Sequence, residues 1–186
     1  MKKLMLTIAA ALLVVAASAQ TKFYVGGSVG YSSMAYDGGT QTSTLTFLPE
    51  FGYVLNPNMA VGIELGYDSV SDKDDEVTYG TFTFAPYFRY TILSFGNVSL
   101  FGDGVFSYKR GITKFDDETY NDNAIGISVQ PGIAYSLNEK FSLVAKFGSV
   151  LGYSSRKADE EGAKAITNFD LLKLSNKLTF GVYYNF

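Results

Sequence analysis

The sequence predicts an all-β fold, an eight-stranded antiparallel up-and-down barrel that crosses a membrane. Three observations carry that prediction. From Phe23 onward the chain falls into eight segments in which apolar residues alternate with small or polar ones. The connections between the segments are short and long by turns. Each segment also places a tyrosine on its apolar face near its C-terminal end.

Alternation at every second position is the period of a strand with one apolar face. The segments are 23–33, 44–55, 59–69, 79–92, 98–110, 123–137, 141–153 and 169–186. They exceed the roughly five or six residues usual in soluble sheets and suit the about nine to eleven of a tilted membrane strand. The short connections are Asn56-Pro57-Asn58, Leu93 to Asn97, and Asn138-Glu139-Lys140. The long, polar ones are 34–43, 70–78, 111–122 and 154–168. Membrane barrels show this asymmetry, with tight periplasmic turns and longer loops outside.

In the first segment the apolar face is Phe23, Val25, Val29 and Tyr31, and the other face is Tyr24, Gly26, Ser28 and Gly30. Periodicity does not say which face points inward. The small and charged composition of the second face suits a narrow lumen, and the large apolar residues suit lipid. Consecutive strands of an up-and-down barrel run in opposite directions. The tyrosines then form two rings: Tyr31, Tyr67, Tyr108 and Tyr153 at the outer rim, and Tyr53, Tyr90, Tyr135 and Tyr184 at the periplasmic rim. A tyrosine ring is apolar and its hydroxyl stays wet, so rings of this kind mark the two membrane interfaces.

An internal repeat supports the count. Residues 46–53, ending Pro49-Glu50-Phe51-Gly52-Tyr53, align with 83–90 and 128–135, and 25–31 aligns with 61–67. The repeating unit is a hairpin. Proline removes a ladder donor, so the repeated Pro49, Pro86 and Pro131 are expected to sit on the lipid face at local bulges.

The N-terminus reads as a signal peptide over 1–19: Met1-Lys2-Lys3, an apolar run, then Ala17-Ser18-Ala19 with cleavage after Ala19. The barrel domain is then 20–186. Removing two lysines takes the formal charge from −3 to −5, which leaves no basic footprint for nucleic acid. The chain has no cysteine for disulfides and no histidine, the commonest general base and metal ligand. No cofactor, metal site or catalytic residue is expected.

The inward-facing charges compose the one cluster with chemistry in it. Glu50 and Glu64 face each other across the Pro57 turn, and Arg89, Asp103, Lys146 and Lys177 fall at similar heights, with Gln130 nearby. Two facing carboxylates are unstable alone, so a balanced hydrogen-bonded layer is expected, with Arg89 as the counter-charge of the Glu50–Glu64 pair. A glycosidase-like carboxylate pair would need room for a sugar that a lumen this narrow lacks. The loop acids Asp72, Asp74, Asp75, Glu76, Asp116, Asp117, Glu118, Asp159, Glu160 and Glu161 lack calcium-loop spacing and read as solvated charge.

Leu178, Phe180, Val182, Tyr184 and Phe186 alternate to the last residue. With the signal peptide, the Pro49–Tyr53 segment and the eight strands, this resembles the small outer-membrane β-barrel family of the OmpA-barrel and OmpX type. The resemblance implies localisation in the outer membrane among its lipids and lipopolysaccharide. It also implies recognition of Tyr184 and Phe186 by the barrel-assembly machinery. The expected function is non-enzymatic: a contribution to envelope integrity and display of the four long loops to a surface partner. A narrow passive pore, a secretion-system accessory barrel and a soluble periplasmic ligand-binding barrel are the alternatives.

Overall fold

The computed structural model describes residues 23–35, 41–72, 78–115, 118–159, 162–174 and 178–186. The segment assigned to a signal peptide and Lys177 lie outside these residues. So do 73–77, with Asp74, Asp75 and Glu76, and the acids Asp116, Asp117, Glu160 and Glu161.

The strands are β1 (Phe23–Ala35), β2 (Gln41–Asn56), β3 (Met59–Asp72), β4 (Thr78–Phe95), β5 (Val98–Phe115) and β6 (Glu118–Ser136). They are followed by β7 (Phe141–Lys146), β8 (Ser149–Ala158), β9 (Ile166–Lys173) and β10 (Thr179–Asn185). All neighbours are antiparallel. β1 to β6 pair in sequence, β7 and β8 together form the seventh wall strand, and β9 and β10 together form the eighth. β10 pairs with β1, setting Val25 opposite Tyr184 and Val29 opposite Phe180, and this closes the eight-stranded barrel. Closure removes the unpaired edge that a membrane cannot solvate.

The alternation sorts the side chains. Val29, Phe47, Ile63, Phe88, Ile127 and Phe180 point outward and are exposed on the isolated chain, whereas Tyr24, Leu48, Glu50, Arg89, Asp103 and Lys146 are buried in the lumen. A continuous outward belt of large apolar residues is what a lipid-facing surface looks like and what a soluble barrel cannot carry.

The strands run further than the hydrophobic pattern, so the connections expected at 34–43, 70–78, 111–122 and 154–168 contract to 36–40, 73–77, 116–117 and 159–165. Pairing continues where the side chains turn polar: Thr113 stands opposite Tyr79 on one side and Tyr120 on the other. Above the apolar belt nothing selects for alternation, although the backbone ladder is indifferent to that change. The connection placed at Leu93 to Asn97 is likewise a two-residue turn, Gly96-Asn97, with Phe95 opposite Val98. Gly96 has φ +57°, a conformation glycine adopts freely.

The bulges expected at Pro49 and Pro86 are absent. Pro49 stands opposite Gly27 and Pro86 opposite Ile63 with no register shift, while on the other side of each strand the pairing lapses over Leu48–Pro49 and over Ala85–Pro86 and resumes in the same register. The register shifts fall instead between Val54 and Asn56 and between Thr91 and Leu93. Pro131 faces the real irregularity, the break between β7 and β8, where its carbonyl accepts from the Phe147 N–H at 3.0 Å.

The eighth strand, read as continuous over 169–186, is broken opposite the same point. The Gly148 N–H donates to the Leu174 carbonyl at 3.0 Å, and a Cβ on Gly148 would overlap the Lys173 carbonyl. Leu172 takes φ 55°, a strained value for a non-glycine residue. The facing pattern slips there: Asp170 and Lys173 line the lumen, while Leu171 and Leu172 both lie outside.

Candidate functional site: an ion cluster across the lumen

Alternation alone puts Glu50, Glu64, Arg89, Asp103 and Lys146 on the inward face of five different strands. Register then brings them to one level: Glu50 stands opposite Glu64, and Arg89 opposite Asp103. The Arg89 guanidinium grips Asp103 with two bonds, Nε to Oδ1 and Nη2 to Oδ2, both 2.7 Å. The same Nη2 reaches Glu50 Oε1 at 3.2 Å. Lys146 Nζ donates to Glu50 Oε2 at 2.6 Å and to Glu64 Oε2 at 2.9 Å. The cation that holds the two facing carboxylates together is therefore Lys146. Arg89, given that role from the sequence, reaches Glu50 alone and spends its fork on Asp103, because its planar pair of donors matches one carboxylate directly across the strand.

The Glu50 side chain is fully excluded from solvent and accepts from Arg89, Lys146 and the Tyr183 hydroxyl, the last at 2.7 Å. A buried carboxylate needs that many donors to offset its lost hydration. The described cluster holds three carboxylates and two cations. Lys177, counted as a third base, is outside the described residues. Gln130 faces Asp103 across β5 and β6, yet its amide donates to Ser128 Oγ at 3.1 Å and does not join the cluster.

Four aromatics complete the layer: Tyr24, Tyr87, Phe101 and Tyr183, all buried. The guanidinium carbon of Arg89 lies 4.0 Å from the Phe101 ring centre and 5.2 to 5.7 Å from the three tyrosines. Cation–π attraction of this kind strengthens as water is excluded. The hydroxyls of Tyr24 and Tyr87 are hydrogen-bonded to each other. Each ring lies over a glycine directly opposite in register: Tyr24 over Gly52, Tyr87 over Gly62, Phe101 over Gly132 and Tyr183 over Gly26. A Cβ at any of these glycines would overlap the facing ring. Sequence reasoning placed Tyr24 on the inner face without a role and did not single out the other three. The available signal was a large aromatic meeting a glycine at inward parity on the next strand.

Outside the wall, Tyr31, Tyr67, Tyr108, Tyr153, Tyr90 and Tyr135 are exposed, and Tyr53 and Tyr184 are half-covered by their neighbours. Tyr108 donates to Asn123 Oδ1 at 2.7 Å. Tyr53 lies 4.8 Å from the Phe23 ring, and Tyr184 is flanked edge-on by Phe141 and Phe186 at 5.1 and 4.7 Å. The Phe186 N–H donates to the Phe23 carbonyl at 3.0 Å, the lowest rung of the closing seam. Toward the extracellular rim Arg156 forms two 2.7 Å bonds to Asp122, and Lys173 pairs with Asp170. Among the described residues no group of three or more acids lies close enough to hold a metal ion.

The architecture is that of solved outer-membrane barrels. Neisserial surface protein A superposes with a TM-score of 0.57 at 15% identity, over 88% of this chain and 97% of its own. The N-terminal β-barrel domain of OprF from Pseudomonas aeruginosa gives 0.51 at 14% identity, over 89% and 98%. Identities this low speak for the fold alone. No curated protein sequence matches the chain. The family model for the outer membrane protein beta-barrel domain matches residues 4–186.

Proposed function

The chain belongs to the outer membrane protein beta-barrel domain family, and we propose that it serves there as a sealed, non-enzymatic barrel that reinforces the envelope and offers its extracellular hairpins to a partner. The observation that carries this reading is the ion cluster. Four charged side chains from four strands, none more than 9% exposed, interlock at one level beside four buried aromatic rings. A layer held by cross-lumen bonds in every direction ties opposite walls together. That suits a structural cylinder better than a conduit.

The outward belt and tyrosine rings would set the barrel's depth among the outer-membrane lipids and lipopolysaccharide, with Tyr184 and Phe186 at the strand offered to the assembly machinery. The partner-facing surface would be the long connections within 34–43, 70–78, 111–122 and 154–168. The reinforcing role is tested in cells that lack the protein, by uptake of a hydrophobic dye normally held back by the outer membrane. Uptake should rise and return to normal when the wild-type protein is restored. Unchanged uptake would remove that role.

A further inference from the structure

One row of paired residues crosses five strands on the outward face of the wall. Tyr67 stands opposite Phe82, Phe82 opposite Arg110, Arg110 opposite Asn123, and Asn123 opposite Lys157. Residues directly opposite in a ladder share a face, so Arg110, Asn123 and Lys157 stand side by side in the row of Tyr67, a member of the outer tyrosine ring. Arg110 and Lys157 are exposed, and neither forms an ion pair among the described residues. Strand spacing puts their backbones about 10 Å apart, and both side chains are long enough to converge over Asn123.

The residue between them is set as a donor as well. Asn123 Oδ1 accepts from the Tyr108 hydroxyl at 2.7 Å, which leaves the amide nitrogen, without a partner among the described residues, to donate. The neighbouring acid, Asp122, lines the lumen and is held by Arg156 through two 2.7 Å bonds, so it neutralises neither cation. Asp159 lies beyond Lys157 toward the loop, with its N–H on the Asn121 carbonyl at 2.9 Å. Beneath the three donors, toward the middle of the membrane, come exposed apolar rows: Phe84, Tyr108 and Ile125, then Phe106, Ile127 and Tyr153.

We infer that this patch binds the phosphate of an outer-leaflet lipid, with Arg110 and Lys157 on its oxygens, the Asn123 amide donating between them, and the acyl chains lying over the apolar rows below. A donor-only surface selects an anion, and the apolar side chains directly beneath select one that carries hydrocarbon. Charge-assisted bonds to phosphate are the strong ones, and a guanidinium matches phosphate oxygens two at a time. The inference rests on the outer-membrane placement of the barrel and adds a defined site on its outer wall.

Lipid A is the probe, because it carries phosphates on an acylated sugar, and lipid A stripped of those phosphates is the comparison. Native mass spectrometry of the detergent-folded protein should show retained lipid A, with the stripped form retained about tenfold less. Arg110→Gln combined with Lys157→Gln should lower retention of lipid A about tenfold. Asn123→Asp, which keeps an acceptor for Tyr108 and removes the donor, should lower it comparably. Lys140→Gln, at a periplasmic turn, should leave retention unchanged, and unboiled gel mobility shows that each variant is folded. Equal retention of the stripped lipid, full retention by the folded double variant, an equal loss in Lys140→Gln, or displacement by an equal concentration of inorganic phosphate would each overturn the proposal. Insertion into vesicles of phosphatidylcholine alone tests the membrane placement separately. A barrel that inserts there yet shows no preference for lipid A overturns the phosphate site and leaves the placement standing.

Discussion

Glu50 and Glu64 stand directly opposite each other on β2 and β3, and a single ammonium, Lys146 Nζ, touches a carboxylate oxygen of both. Two facing acids at one rung would repel, and the barrel tolerates them because the cation arrives from the far wall, on β7. The pair is thus a cross-lumen tie, and its stability belongs to three residues together.

Replacing Lys146 by Met should destabilise the folded barrel by about 3–5 kcal/mol, since two buried acids lose their common partner. Adding Glu64→Gln should recover much of that loss, as the remaining acid keeps Arg89 and Tyr183 as donors. Urea unfolding in lipid vesicles measures both. A double variant no more stable than Lys146→Met alone would show that the Glu50–Glu64 repulsion is not what Lys146 relieves.

Arg89→Lys keeps the charge and discards the geometry. An ammonium cannot make the two-pronged bond to Asp103 while reaching Glu50, nor lie flat on Phe101 as a guanidinium does. We expect a loss of about 1.5–3 kcal/mol, the range for hydrogen bonds to charged groups. Stability equal to the wild type would mean that charge alone matters at this position.

Gly132→Ala drives a methyl into the Phe101 ring, and overpacking of this kind costs about 1–3 kcal/mol. Phe101→Leu in the same chain should relieve part of that strain. The two changes should therefore be less than additive in a double-mutant cycle. Strict additivity would show that the ring does not depend on the glycine beneath it.

Phe186 contributes one backbone bond and one ring contact at the foot of the seam. Phe186→Ala removes burial of a single aromatic, about 1.5–3 kcal/mol at most, which the rest of the β1–β10 ladder should survive. Refolding into detergent should remain near wild-type yield while the amount reaching the outer membrane falls sharply. Normal outer-membrane levels would remove the assembly role of this residue.

The eight-strand count, the outward apolar face and the facing of Glu50 with Glu64 were legible because each follows from a period of two and a short turn. The strand ends were not, since beyond the apolar belt alternation fades while the ladder continues, as at Thr113 and Tyr120. The break at Gly148 was illegible for a different reason. It depends on a carbonyl from another strand occupying the space of an absent Cβ, and nothing local in 141–153 announces it. The cluster was half visible. Parity named its charges, but choosing Lys146 over Arg89 as the bridge requires knowing which strand lies across the lumen, and pairwise register along the wall does not carry that distance. The aromatic half was missed because Tyr87, Phe101 and Tyr183 look like wall residues until their glycine partners are aligned.

If the cluster of Glu50, Glu64, Arg89, Asp103 and Lys146 seals the lumen, the barrel carries no ions. Planar-bilayer recording of the purified wild-type protein, with insertion verified by protease protection, tests it most directly. A flat current with no steady unitary openings across the accessible voltage range is expected. A stable, ohmic single-channel conductance from the wild-type protein would contradict it.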